Sequence, residues 1–372
     1  MAAPASDQVE VSVFGPGFGE CSVVHLGSDN WVIIDSCLNS ETNRPVAIEY
    51  LNSIGVDLAS SVKLVIVTHW HDDHIRGLPE IVRACSSAHV CMAMALRTET
   101  FLAHVIAYDN RHSIKAGSGV SAILEVMKIL RARKQERMWV VANRVLLDLP
   151  EGDLAHGYPC RITALSPSDA QSDLALEGLA KLVPTLSGTK KRFPAPTENH
   201  LSIATWISIG EVSILMGGDL EEQKNPALGW SAVLNLYGRP TGRAQIFKIP
   251  HHGSKTGHHD DVWSELLQRS PFSVLTPWEI NKGLPTPADV KRIVVLTPEA
   301  YSTSSGKFFG VRGRDKAVEK QIRISGVAIE SLNMKTGHVR FRNGGKENMA
   351  RWEPEVFAGA CKLEDLRITS SA

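Results

Sequence analysis

The sequence predicts a layered α/β fold, and two features of the 372-residue chain indicate it. Apolar runs typical of strands alternate with segments of helical periodicity. Four strand-like runs end in a residue suited to chemistry, namely Asp35, His69, Asp219 and His251. Because residues at one edge of a sheet layer can converge on a single site, we expect these four to lie close together. Either one large α/β domain with insertions or two domains would accommodate this length.

The first strands are predicted within residues 8–35. Valines alternate there with polar residues, and a glycine-rich turn follows at 15–19. Residues 22–26 and 31–34 continue the region as two further strands, and residues 45–56 have a helical pattern. The chain therefore passes from strands to helix before its most distinctive motif.

That motif is the segment Thr-His-Trp-His-Asp-Asp-His at 68–74, directly after a strand predicted at 64–67. Apolar residues recur at helical spacing beyond it, so its last two residues would begin a helix beside the two preceding histidines. Imidazole nitrogen and carboxylate oxygen suit zinc, with manganese or iron as alternatives, and the absence of cysteine favours an open catalytic site. The alternative interpretation is a histidine-rich surface loop. The candidate ligands are His69, His71, Asp73 and His74.

The middle of the chain is predicted to be a helical insertion. A short strand at 88–92 precedes it, and from about 96 to 149 the pattern is helical and polar, with a basic group within 131–137. This basic group is either an ordinary solvated helix face or a ligand-binding face. Residues 184–199 have loop composition and contain the basic cluster at 190–192.

The second half of the chain repeats the pattern of a strand followed by a polar residue. Strand-like runs are predicted at 201–207, 212–216 and 244–250. The last two run into Gly-Gly-Asp and into His-His-Gly-Ser, respectively. A Gly/Ser-rich and basic stretch at 302–323 is either an active-site flap or an exposed loop.

Composition sets further limits. Lys and Arg number 40, as do Asp and Glu, so any surface that binds a polyanion must be a local patch. The six cysteines form no CxxC pair, and the N-terminus lacks the features of a signal peptide. No apolar stretch approaches the roughly 20 residues that span a bilayer. We therefore expect a soluble, cytoplasmic protein that does not contact membranes.

The motif His-x-His-x-Asp-His resembles the signature of the metallo-β-lactamase fold superfamily, which implies an αββα sandwich. The likeness extends to the segments 17–22, 33–35, 217–219 and 250–254, which resemble the soluble hydrolase domain of ComEC-type DNA-uptake proteins and their stand-alone relatives. Residues 336–340 resemble the closing hairpin of that domain.

This resemblance covers most of residues 8–342 and implies a domain organisation. We expect a metallo-β-lactamase-like domain at 8–345, with the insertion at about 96–150. A C-terminal extension is expected at 346–372. The insertion and the basic stretch are not covered by the resemblance.

The resemblance also implies the roles of site residues around two divalent ions, with zinc the expected metal. His69 and His71 would hold one ion, Asp73 and His74 the other, and Asp219 would bridge them. Either His251 or His252 would complete the second ion's shell, and we prefer His251. His200 and Asn199 compete as the remaining ligand of the first ion, and His200 is the stronger ligand chemically. Asp35 is expected to orient a histidine or the motif loop from behind.

The chemistry implied is hydrolysis by a hydroxide that bridges the metals. Asp73 and Asp219 would position it, and the histidine not used as a ligand, His252 in our preferred assignment, would protonate the leaving group. The ComEC-like resemblance favours phosphodiesters, so a nuclease that acts on a nucleic acid or nucleotide substrate is the first prediction. Basic residues that could contact phosphate are Lys190, Lys191, Arg192, Lys255, Arg312 and Arg314.

Two alternatives stay open at the level of sequence. The first is a hydrolase of small phosphodiesters or of other esters or lactams, which predicts a closed pocket instead of a long basic groove. The second is a non-catalytic scaffold of the same fold that binds a partner. Protein partners cannot be predicted from the sequence.

Overall fold

The computed structural model describes residues 1–15, 19–94, 119–180, 199–278, 283–305 and 335–366. The strands in these ranges are β1 (Glu10–Gly15), β2 (Cys21–His25), β3 (Trp31–Ile34), β4 (Val62–Val67), β5 (His89–Ala93), β6 (Arg137–Val140), β7 (Val145–Leu149), β8 (Cys160–Ala164), β9 (Thr205–Ile209), β10 (Val212–Met216), β11 (Ala244–Lys248), β12 (Leu267–Leu275), β13 (Ala300–Ser302), β14 (Gly337–Asn343), β15 (Trp352–Phe357) and β16 (Cys361–Lys362). The helices are α1 (Val46–Ser53), α2 (Leu58–Ser61), α3 (Asp72–Ile75), α4 (Leu78–Ala84), α5 (Gly119–Ala132), α6 (Asp169–Ala180), α7 (Gly229–Leu234) and α8 (Pro287–Leu296). Among these described helices, none has the length and apolar character needed to cross a membrane.

The strands form two eight-stranded sheets. The first has the order β15-β14-β1-β2-β3-β4-β5-β6, and the second has the order β16-β13-β12-β11-β10-β9-β8-β7. In each sheet four consecutive strands are parallel, β3 to β6 in the first and β10 to β13 in the second. The carboxyl ends of these parallel strands carry the motifs that the sequence singled out.

Alternation along the strands explains how the layers pack. In the second sheet, Ile214 and Ile246 face the core that both sheets share, whereas Leu215 and Phe247 face a second core that also contains Trp230 of α7. Successive side chains of a strand point to opposite faces, so both faces of this sheet are covered. Two sheets face each other with helices outside them, and the predicted α/β fold with an αββα sandwich is confirmed.

The helical pattern predicted from about 96 to 149 does not extend to the end of that range. Residues 119–132 form α5, but β6 and β7 follow and become edge strands of the first and second sheets. Pairing of β6 with β5 and of β7 with β8 satisfies their backbone groups and overrides a weak helical pattern. The first part of the expected insertion, residues 95–118, lies outside the described residues.

The C-terminal segment also contributes to the sheets. Strand β14 pairs with β1, β15 pairs with β14, and the short β16 pairs with β13. These last two strands lie in the segment 346–372 that we expected to be an extension. Most of the basic stretch at 302–323, from 306 onwards, lies outside the described residues.

Candidate metal centre

The histidine-rich motif leaves the end of β4 and is anchored by backbone contacts from two other strand ends. The backbone N–H of Thr68 donates to Oδ1 of Asp35 at 2.8 Å, and Asp35 directly follows β3. The carbonyl of Asp73 accepts from the N–H of Glu20 at 3.0 Å, and Glu20 directly precedes β2. The motif is therefore fixed to a rigid sheet edge, as a preorganised site requires.

A tight turn after β10 delivers Asp219 to the same place. Gly218 has φ of 52°, and a Cβ atom on it would lie 2.5 Å from Oγ of Ser202. That same Oγ accepts from the backbone N–H of Asp219 at 2.9 Å. His252, in the turn after β11, also has a left-handed backbone, with φ of 54°. Such strain is retained where the surrounding structure holds the residue for a purpose.

Four buried side chains converge at this edge, namely Asp73, His74, Asp219 and His252. Oδ2 of Asp73 lies 3.4 Å from Nε2 of His74 and 3.3 Å from Nε2 of His252. Oδ2 of Asp219 lies 3.4 Å from each of the same two nitrogens. All four ligand atoms lie within 4.8 Å of one another.

The other ring nitrogen of each histidine determines which atom faces the cluster. Nδ1 of His252 lies 2.9 Å from the carbonyl oxygen of Thr276, which can only accept, so Nδ1 carries the proton. Nδ1 of His74 lies 2.8 Å from Oδ2 of Asp35 and donates to that carboxylate. In the neutral rings, both Nε2 atoms then direct lone pairs at the cluster. Partners of this kind orient metal-ligating histidines in proteins.

The donor set fits a divalent metal ion. Nε2 of His74 and Oδ1 of Asp219 are buried without a hydrogen-bond partner among the described residues. Metal–ligand bonds of about 2.0–2.1 Å in a tetrahedral zinc site place ligand atoms about 3.3–3.4 Å apart. The four nitrogen–oxygen distances of 3.3–3.4 Å in the cluster match this ligand-to-ligand separation. These residues could therefore hold an ion such as zinc.

His69 and His71 form a second pair of imidazoles beside this cluster. The hydroxyl of Thr68 donates to Asp35, so it accepts from Nδ1 of His69 at 3.0 Å. Nε2 of His69 is then left facing Nδ1 of His71 at 3.1 Å. The rings of His69 and His74 are 4.2 Å apart, so the pair is adjacent to the four-residue cluster. It offers ligands for a second ion.

The electrostatics of the cluster show that its carboxylates attract positive charge. Burial raises the pKa of Asp73 and of Asp219, but the adjacent His74 and His252 outweigh burial and hold both pKa values well below the usual range. Burial lowers the pKa of His74 and of His252, yet the two carboxylates outweigh it and raise both. Protons and a divalent ion would therefore compete for the same places.

A buried ion pair that we did not predict, between Lys248 and Glu20, lies next to Asp219. Lys248 is 1% exposed, and its Nζ lies 2.5 Å from Oε1 of Glu20 and 3.6 Å from Oδ1 of Asp219. It also donates to the carbonyl of Gly218 at 2.8 Å. Oε2 of Glu20 accepts from the hydroxyl of Thr276 at 2.5 Å. A signal was present in the sequence, because Lys248 is a charged residue two positions after Ile246, at the end of a strand-like run in which Ile246 and Phe247 are apolar.

Three predicted residues lie apart from the four-residue cluster. His251, our preferred ligand, places Nδ1 2.8 Å from Oε1 of Glu221, and Nε2 of His200 lies 3.3 Å from the other oxygen of Glu221. Nδ2 of Asn199 lies 3.2 Å from Nε2 of His251. We preferred His251 as the ligand, but the turn directs His252 into the four-residue cluster and His251 towards Glu221. The sequence shows two adjacent histidines and does not indicate which of them faces the cluster.

The predicted phosphate contacts are only partly described. Lys255 is exposed and precedes Thr256, whose hydroxyl donates to Glu221 at 2.9 Å, so it lies on the rim of the site. Trp278 lies closer in, with its ring 5.6 Å from that of His252. The other five predicted contacts lie outside the described residues, namely Lys190, Lys191, Arg192, Arg312 and Arg314.

Part of the chain is similar to a known protein family. Residues 14–160, less than half of the chain, match the family model described as the metallo-beta-lactamase superfamily. The two-sheet sandwich with flanking helices and this match are consistent with the metallo-β-lactamase fold. Among curated proteins, no match was found.

Several solved structures are similar to this chain. YhfI from Bacillus subtilis, a metallo-beta-lactamase fold protein, is 13% identical, and the alignment covers 65% of this chain and 70% of that chain with a TM-score of 0.31. Zn(2+)-bound PqqB from Methylobacterium extorquens is 13% identical over 62% of this chain and 56% of that chain, with a TM-score of 0.31. MEM-A1, a subclass B3 metallo-beta-lactamase from a soil metagenome library, is 14% identical, and the alignment covers 68% of this chain and 80% of that chain with a TM-score of 0.33. Each score is below 0.5, so the fold assignment rests on the strand order and the family match.

Proposed function

We propose that this protein is a metal-dependent hydrolase that cleaves phosphodiester bonds, and that nucleic acids or nucleotides are its substrates. The observation that carries the proposal is the buried cluster of Asp73, His74, Asp219 and His252. Its spacing and its oriented imidazoles suit a divalent ion, and the fold superfamily consists mostly of metallo-hydrolases. Cytoplasmic action is part of the same proposal.

The number of buried charges supports a site for two divalent ions. The carboxyls of Glu20, Asp35, Asp73 and Asp219 are at most 3% exposed, and Lys248 is the buried ammonium that contacts this group. When His74 and His252 are neutral, as metal ligation requires, four carboxylates and one ammonium leave a net charge of about −3, which divalent ions would compensate in place of the protons favoured by the raised pKa values of the two imidazoles. We propose that Asp219 lies between the two ions and that His69 and His71 contribute to the second.

The protein's own residues hold and orient the reacting groups. His74 and His252 are locked by Asp35 and by the Thr276 carbonyl, so their Nε2 atoms are preorganised. Divalent ions bound here would supply Lewis acidity and make a water molecule nucleophilic near neutral pH. Asp73 and Asp219 would accept hydrogen bonds from that water and fix its direction of attack.

The choice of phosphodiesters rests on the sequence resemblance to ComEC-type hydrolase domains. Lys255 is exposed and lies three residues after His252, and we propose that it contacts a phosphate oxygen of the substrate. The ring of Trp278 lies 5.6 Å from that of His252, which places an aromatic side chain, the kind that stacks on bases, beside the cluster.

The test combines metal content with cleavage. Protein purified without chelator is analysed by mass spectrometry for bound metal, and hydrolysis of bis(p-nitrophenyl) phosphate and of labelled single- and double-stranded DNA and RNA is measured. We expect two divalent ions per chain and cleavage that falls about a hundredfold or more in Asp73→Asn, because even partners of metal ligands cost 10- to 100-fold when removed.

The matched control is Asp72→Asn, which removes an exposed neighbouring carboxylate outside the cluster. It should retain near wild-type cleavage. A protein that holds metal but hydrolyses only a chromogenic β-lactam would contradict the choice of phosphodiesters. Absence of metal after supplementation with zinc, manganese and iron would contradict the hydrolase proposal itself.

A further inference from the structure

A cavity of about 450 Å³ lies away from the metal centre, along the edge strand β6 of the first sheet. Its lining includes Lys134 in the turn before that strand, Arg137 and Trp139 within the strand, and Arg144 just before β7. A cavity of this size can enclose a small organic ligand. No residue of the proposed catalytic cluster lines it.

The lining of this cavity is predominantly basic. Lys134, Arg137 and Arg144 supply three cations, and Glu136 supplies the single carboxylate of the lining. Within the described part of the chain, no carboxylate forms an ion pair with any of these three cations. The whole chain is electrically balanced, with 40 basic and 40 acidic residues, so this concentration is local. Such a patch favours an anionic ligand.

Trp139 adds an aromatic surface to this basic lining. The guanidinium carbon of Arg137 lies 5.4 Å from the centroid of the Trp139 ring, which is a cation–π distance. Nη1 of Arg144 donates to the carbonyl oxygen of Trp139 at 2.6 Å, which ties its guanidinium to the same strand. The side chain of Trp139 is half-buried, so its ring is supported and still partly accessible.

We propose that this cavity binds a nucleotide unit, with the base against Trp139 and the phosphate held by Arg137, Arg144 and Lys134. Combined aromatic stacking and guanidinium–phosphate contacts are how proteins hold nucleotides without base-specific contacts. An acidic peptide would satisfy the cations, but it would leave the aromatic ring of Trp139 in the cavity lining without a stacking partner. This inference goes beyond the proposed hydrolysis and does not require it, because binding is measured without turnover.

The experiment measures binding by calorimetry to the full chain carrying Asp73→Asn, so that cleavage does not interfere. The probes are AMP and 5′-phosphorylated hexathymidylate. Trp139→Leu and Arg137→Gln are each expected to weaken binding of the oligonucleotide about tenfold, since stacking and charge-assisted contacts are of that size. The dependence on salt should also become shallower in Arg137→Gln, because one phosphate contact is lost.

The matched control is Arg131→Gln, which removes an exposed arginine of α5 that does not line the cavity, and its binding should change less than about twofold. Equal affinity for both probes would identify a free nucleotide as the ligand, and much tighter hexathymidylate binding would identify a strand segment. Near-UV circular dichroism verifies that each variant folds. If Trp139→Leu does not fold, the Arg137→Gln variant alone tests the proposal.

Two results would overturn the inference. One is binding in Trp139→Leu and Arg137→Gln that equals binding in Arg131→Gln. The other is a polyglutamate peptide that binds more tightly than either nucleotide probe and is sensitive to the same substitutions. Hydrolysis of bis(p-nitrophenyl) phosphate is measured on the wild-type chain and nucleotide binding on the Asp73→Asn chain, so failure of the nucleotide site and failure of the proposed hydrolase are distinguishable.

Discussion

Lys248 lies where the pattern of its strand calls for an apolar side chain. It occupies an inward position two residues after Ile246, and its ammonium contacts Glu20, the Gly218 carbonyl and Asp219. Burial lowers its pKa, but Glu20 and Asp219 outweigh burial and raise it, so the ammonium stays charged. A single side chain thus links the strand β11 to the carboxylate that we place between the metals.

We predict that Lys248→Met lowers the free energy of unfolding of the metal-free protein by about 3–5 kcal/mol, because it leaves buried Glu20 without its cation. Urea denaturation in the presence of a chelator measures this. The double variant with Glu20→Gln should be less destabilised than the sum of the two single variants. Additive effects would show that the two side chains do not interact.

His338 on β14 is a buried histidine that stays neutral. Its ring stacks on Phe14 at 4.2 Å and on Phe357 at 5.0 Å, and its Nε2 donates to Oγ of Ser12 at 2.9 Å. That hydroxyl is an acceptor here because it donates to Glu10. Burial, together with the nearby Arg340 and Arg342, lowers the pKa of His338 to about 3.

This depressed pKa predicts a dependence of stability on pH. The unfolded chain takes up a proton at His338 near pH 6.5, but the folded chain does so only near pH 3. The free energy of unfolding therefore falls as the pH decreases from about 6.5 towards about 3. His338→Gln should reduce this slope by up to about 1.4 kcal/mol per pH unit. The measurement is urea denaturation at several pH values, with exposed His89→Gln as the control whose slope should match wild type.

At the scale of elements, short turns after the parallel strands decide the geometry of the site. Strand β10 ends at Met216, and Asp219 reaches the cluster only because the intervening turn adopts a left-handed backbone at Gly218. The strand pattern locates the turn within a residue or two. The direction of the carboxylate depends on that backbone conformation and on Ser202.

We predict that Gly218→Ala costs about 1–3 kcal/mol and weakens metal binding at least tenfold, because the new methyl group meets Ser202 and displaces Asp219. Chelator competition and urea denaturation measure the two effects. Gly238→Ala is the control, since Gly238 has φ of 73° but nothing lies within 4 Å of its added Cβ. Gly238→Ala should lose stability modestly and retain metal affinity. Equal losses of metal affinity in Gly218→Ala and Gly238→Ala would show that the turn at Gly218 does not position Asp219.

At the scale of the whole molecule, the C-terminal strands connect the two sheets. Trp352 on β15 is 6% exposed, and its Nε1 donates to Oε1 of Gln245 on β11 at 3.1 Å. β15 is the edge strand of the first sheet, and β11 lies inside the second. The segment from 346 onwards therefore contributes a contact between layers.

We predict that Trp352→Ala destabilises the protein by about 3–5 kcal/mol, because it removes a large buried ring and the hydrogen bond between the sheets. Val356→Ala on the same strand is the control. Because Val356 is 46% exposed, this variant should lose much less free energy of unfolding than Trp352→Ala. Thermal denaturation of both variants tests this. A Trp352→Ala protein as stable as Val356→Ala would mean that the segment is a dispensable extension.

The sequence by itself determined the two-layer α/β class and the identity of the central motif. Alternation of apolar residues depends only on local order along the chain, and His69, His71, Asp73 and His74 lie within six residues. The two later segments that end in Asp219 and in the histidine pair were also recognisable.

Only the tertiary structure decided which residues meet. It directed His252 and not His251 into the cluster, placed Lys248 and Glu20 behind Asp219, and made strands of residues 137–140 and 145–149. These outcomes depend on contacts between residues far apart in sequence and on backbone conformations within turns. Hydrophobic periodicity contains no information about either, because it records the face that a side chain occupies and not the partner that it finds there.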